Sequence, residues 1–134
     1  MALSEHLPIY KRGYELCLYL EQVVCGFSRS NKYGLGDELR TGARRVLTLV
    51  VRANSRRERE SVLLAVREEL EALKVSLRLA HDLKAFANFK SFEHAIALVV
   101  DIAKQNEGWL KSQRRSFGPN RRAMPEGPAA PSAP

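Results

Sequence analysis

Cysteine is nearly missing from this chain: Cys17 and Cys25 are the only two among 134 residues. Both fall in one helical stretch, where helical rise separates them by about 12 Å, too far for an intramolecular bridge. A disulfide scaffold is therefore excluded. Without a signal-peptide pattern, the expectation is a reducing cytoplasm in which the two thiols act as small apolar groups. No apolar run approaches the length of a membrane span, so no membrane association is expected. Strand signals are also lacking, with no sustained period-two alternation and no Asn-Gly or Asp-Gly hairpin turn.

The groupings that carry chemistry are missing as well. There is no CxxC, no HExxH and no Cys-His cluster to hold zinc. Leu3, Arg78 and Ser91 stand three positions before His6, His81 and His94, so the Glu-x-x-His pairs of di-iron bundles do not occur. Gly34-Leu35-Gly36 lacks the strand and the third glycine of a dinucleotide loop. The Arg-to-His spacing of helical ribonucleases fails too: Lys74, Val75 and Ser76 precede His81, and Ala87, Asn88 and Phe89 precede His94. His81 with Asp82, and His94 with Glu93, are neighbours that point in different directions on a helix. The expectation is a protein with no catalytic residue, no metal and no cofactor.

What is present is a helical beat repeated four times. The first stretch runs from about Pro8 to Phe27, with proline suited to a first turn and a face of Ile9, Leu16, Leu20, Val23 and Phe27. Tyr10, Tyr14 and Cys17 broaden that face. Ser28 to Gly36 reads as a loop. The second stretch, about Gly36 to Ala53, places Leu39, Ala43, Val46, Val50 and Ala53 in the register of a buried seam. Ser55 and Glu58 match a capping box for the third, about Arg56 to Ala85, whose seam is Leu63, Val66, Leu70, Leu73, Leu77 and Ala80. Ser91 is placed to cap the fourth, about Phe92 to Arg114. That stretch has two apolar rows, one through Phe92, Ile96, Val99, Ala103 and Leu110, the other through Ala95, Leu98, Ile102 and Trp109.

The fold class that follows is all-α: an antiparallel up-down four-helix bundle over residues 1–114. Residues 115–134 hold five of the six prolines and are expected to be a disordered, basic Pro/Ala-rich tail. The surplus apolar surface of the first and fourth helices has two readings, a wide core or a subunit interface.

The remaining signal is charge, +7 overall. Asn31 to Arg59 carries eight of the 22 basic residues, seven of them arginine, against three acidic ones. Arg40, Arg44 and Arg45 lie within about a turn, Arg52 follows, and Arg56, Arg57 and Arg59 crowd the next junction. Arg67, Lys74 and Arg78, seven and four apart, mark a second stripe on the third helix, with Glu68, Glu69 and Glu71 near enough to neutralise part of it. The planar guanidinium fork suits bidentate contact with phosphate, so Arg40, Arg44, Arg45, Arg52, Arg56, Arg57, Lys74 and Arg78 are the expected nucleic-acid or polymerase-binding surface. Aromatic residues make up only 7% of the chain, which favours backbone contact over base stacking.

Three passages together resemble a known family: Pro8 to Tyr14 opening a first helix, KYGLGDELRTGARRVLTLVVRAN, and GWLKSQRR ending a fourth. They are similar to the small four-helix bundle proteins of the ribosomal-RNA intervening-sequence family. Within it they look closest to the accessory variability determinants (Avd) of diversity-generating retroelements, over about residues 7–114. The resemblance implies a basic, barrel-shaped homopentamer that binds a reverse transcriptase and its template RNA or cDNA and supports mutagenic retrohoming. The alternative is an interaction bundle of the wider family, with a protein partner and no retroelement role.

Overall fold

The computed structural model describes residues 3–123, and over them the chain is helical with no strand. A single 3₁₀ turn, Ser4–His6, precedes helix α1, Pro8–Cys25. A one-turn helix α2, Arg29–Lys32, sits within the expected loop. Three long helices follow: α3, Leu35–Asn54; α4, Glu60–Asp82; and α5, Phe89–Ala123. The four long helices form one bundle in which α3 packs on α1 and α4, and α5 closes the circuit against α4 and α1.

The seams read from periodicity line the core. Leu16, Leu20, Leu39, Ala43, Val46, Val50, Leu63, Val66 and Leu77 are all without solvent exposure. The second row of α5 joins them, since Ala95, Leu98 and Ile102 are buried inside the same subunit. For α5 the wider-core reading is therefore the right one. On α1 the surplus divides: Tyr10 and Cys17 pack against the core, whereas Tyr14 and Leu18 are exposed.

Two caps differ from expectation. Ser55 does not cap α4, because its hydroxyl is engaged in ending α3, donating to the Arg52 carbonyl at 2.9 Å. The residue before α4 is Arg59, which makes no side-chain cap. Nor does Ser91 begin α5, which starts two residues earlier. Asn88 Oδ1 accepts the Ser91 backbone N–H at 2.9 Å and its hydroxyl at 3.1 Å, so Asn88 satisfies a donor that the first turn leaves free. Asn88→Ala is expected to cost about 1 kcal/mol of stability, to be measured by urea denaturation.

At the other side of this turn, α4 ends in a Schellman motif. Ala85 N–H reaches the Ala80 carbonyl and Lys84 N–H the His81 carbonyl, both at 2.9 Å. Lys84 takes the left-handed conformation, φ 62°. This turn drops Ala85 and Phe86 into the core, where the Phe86 ring meets Phe27 and Phe92 edge-on.

The fourth long helix overshoots its expected end at Arg114 and runs to Ala123. The expected 115–134 tail is thus helical in its first part, and from Met124 onward it lies outside the described residues. Arg114 lies beside Glu60, the first residue of α4. The last residues of α5 therefore extend about 13 Å past the bundle.

Candidate nucleic-acid interface

The eight expected basic residues do not form one surface. Arg40 and Arg44 turn towards α1, where Glu21 lies 3.8 Å from Arg40 and 3.0 Å from Arg44. Arg40 also pairs with Asp37 one turn before it. Arg45 turns the other way, to Glu69 of α4 at 3.9 Å. The Arg40 side chain is only 24% exposed, against 60% for Arg44 and 62% for Arg45. Each of these three cations thus already faces a carboxylate across a helix boundary.

Between α3 and α4 runs a groove of about 430 Å³, with Arg44, Arg45 and Arg52 along it and Leu49 and Ala65 on its floor. Glu68 and Glu69 line the same groove, so its field is mixed. Lys74 lies in a different groove, between α4 and α5, and pairs with Glu71 at 3.0 Å. Arg78 is exposed one turn further on. In that second groove Arg67 clasps Glu107 through two 2.8 Å bonds. That hydrogen-bonded fork holds the Glu107 carboxyl below its ordinary range.

Exposed basic charge gathers at both ends of the bundle: Arg29, Lys84 and Lys90 lie at one, and the α3–α4 junction lies at the other. Arg52, Arg56 and Arg57 are exposed there, with their guanidiniums in no salt bridge among the described residues. Three contacts bring α5 against the same junction. Gln113 Nε2 donates to the Arg57 carbonyl at 3.3 Å, Arg114 meets Glu60 at 3.1 Å, and the Arg59 guanidinium lies 5.4 Å from the centre of the Trp109 ring. Arg59 also donates to the Arg56 carbonyl at 2.9 Å, folding the junction onto itself. Exposed Lys111 and Arg115 are thereby carried to the same pole.

Seven basic side chains (Arg52, Arg56, Arg57, Arg59, Lys111, Arg114 and Arg115) gather at this end against four carboxylates: Glu58, Glu60, Glu107 beside Lys111 and Arg114, and Glu5 on the turn that Asn54 holds. A local excess of this size is a footprint for polyanions. Arg59, Lys111, Arg114 and Arg115 were not among the expected site residues. Arg59 adjoins Arg56 and Arg57 in the chain, but the meeting of Lys111, Arg114 and Arg115 with them depends on contacts across more than 50 positions.

Other chemistry is sparse. Burial raises the Cys17 thiol above its ordinary pKa, which disfavours the nucleophilic thiolate. Among the described residues no three of His, Cys, Asp and Glu converge to hold a metal. No described helix is long and apolar enough to cross a membrane.

The sequence model of the bAvd-like family matches residues 7–113. The chain belongs to the bAvd-like family. No curated protein matches it. The match agrees with the Avd resemblance of the helical passages and spans the bundle from the start of α1 to Gln113. In this bAvd-like bundle the basic pole straddles the end of the matched segment: Arg52, Arg56, Arg57, Arg59 and Lys111 lie within it, Arg114 and Arg115 just beyond.

Proposed function

We propose that this chain is a non-catalytic accessory protein of a diversity-generating retroelement. It works in the cytoplasm as a homo-oligomer, pentameric by family resemblance, and binds the reverse transcriptase and its template RNA or cDNA to support mutagenic cDNA synthesis. The observation that carries the reading is the bAvd-like match over the whole bundle. The uncompensated arginines at the α3–α4 junction supply the chemistry. Phosphates would be held by guanidinium forks, with bases left unread because the pole's one aromatic ring among the described residues, Trp109, is covered by Arg59. Several identical subunits would raise the effective affinity for one long RNA.

Binding of this kind releases counterions. RNA affinity is therefore expected to fall linearly on a log–log plot against salt, with a slope of about −0.7 for each single-stranded phosphate contacted. Fluorescence titration of template RNA between low and moderate salt measures that slope, and co-purification with the element's reverse transcriptase tests the protein contact. A chain that binds neither partner at low salt would refute the proposal. Polymerase binding that is indifferent to salt, with no RNA binding, would favour the protein-docking alternative.

A further inference from the structure

Two apolar strips on the surface remain without a partner. One lies on α1, where Tyr14 stacks on Tyr10 at 6.0 Å and Leu18 follows one turn later, 59% exposed. The other lies on α4, where Val75, Leu79 and Leu83 recur one turn apart, Val75 being 67% exposed. The helix contacts run from α1 to α3 to α4 to α5 and back to α1, which sets the two strips on opposite corners of the bundle.

The strips also stand at one height. Arg12 reaches Asp101 and Tyr19 packs on His94, which places Tyr14 level with Val99 and Leu18 level with Ala95. Arg67 reaches Glu107 and His81 stacks on Phe92, which places Val75 level with Val99 and Leu79 level with Ala95. Tyr14 and Val75 therefore share one level, and Leu18 and Leu79 share the next, about 6 Å along the axis. Flanking charges of opposite sign meet at one matching height: Lys11 stands level with Glu71, which also faces Lys74 at 3.0 Å.

We infer that the α1 strip of one copy packs against the α4 strip of the next. The inference rests on the homo-oligomer reading above and names its two faces. A two-fold pairing of either strip with itself would leave the other uncovered, whereas head-to-tail contact covers both. Because the faces share a height, successive copies join without rise along the helix axis, and the assembly closes as a ring where the turn from one copy to the next divides a full circle.

The test uses full-length chains and light scattering, with circular dichroism to check folding. Wild type is expected to assemble well above its 15.1 kDa subunit mass. Leu18→Asp and Leu79→Asp, both at exposed positions, should each be monomeric with unchanged helicity. Mixed together they should form a one-to-one heterodimer, because each retains the face that the other lacks. An assembled wild type with both variants still assembled would overturn the assignment of faces and leave the oligomer reading standing. Two dissociated variants that do not complement each other would overturn the head-to-tail contact. A monomeric wild type at micromolar concentration would overturn both readings.

Discussion

Replacing Arg56, Arg57 and Arg115 together by glutamine is expected to weaken RNA binding by roughly two orders of magnitude near physiological salt. The log–log salt slope should become shallower by about 2, one increment for each phosphate that is no longer held. Changing Arg40, Arg44 and Arg45 to glutamine removes the same formal charge but should leave the slope almost unaltered. Those three face Glu21, Asp37 and Glu69, so a phosphate must displace a carboxylate before it can be held. Some affinity will still fall away there, because the carboxylates are left uncompensated. That repulsion is screened within about 8 Å and releases no counterions from the RNA. The pole variant should fold normally, since Arg56 and Arg57 serve the junction through their carbonyls, which accept from Arg59 and Gln113. Equal slopes for the two variants, read in one fluorescence titration series, would remove the pole as the RNA-binding surface.

The contrast between these arginine sets marks what the sequence can and cannot express. The seam of α3, Leu39 to Ala53, is legible because burial repeats with the helical period, a purely local property. The pairing of Arg44 with Glu21 spans 23 positions and that of Arg114 with Glu60 spans 54, so neither this neutralisation nor the arrival of the α5 charges at the junction has a local signature. Caps fail for a related reason. Ser55 can end one helix or begin the next, and the hydrogen bond to Arg52 decides between them. On α4 the six-residue seam from Leu63 to Ala80 is legible in the chain, whereas the exposed row of Val75, Leu79 and Leu83 beside it shows as surplus only once α3 and α5 are packed. The helices could thus be read from the chain, while the charged pole needed the contacts that bend the α3–α4 junction onto α5.

The approach of α1 to α3 that sets Glu21 against Arg40 and Arg44 depends on Gly36. A Cβ at this buried position would lie 2.5 Å from Val24 Cγ1 and 3.3 Å from the Asn31 carbonyl oxygen. Its backbone angles are open to any residue, so alanine gains about 1 kcal/mol of helix propensity. Against that, Val24 is wholly buried and its branched side chain has one strongly preferred rotamer in a helix, so it cannot swing aside. Relief requires the helices to part, and overpacking of this kind typically costs about 1–3 kcal/mol. Gly36→Ala should therefore be destabilised by about 2 kcal/mol in urea denaturation, the clash outweighing the propensity gain. Val24→Ala alone should cost a similar amount through the cavity it leaves. The double variant should cost at least about 1 kcal/mol less than the sum, because the methyl removed by one substitution is the obstacle met by the other. If Gly36→Ala proves more stable than wild type, propensity outweighs packing here and α3 can move away from α1. In that event Arg40 and Arg44 would be freed from Glu21, and the salt slope of the same variant should steepen.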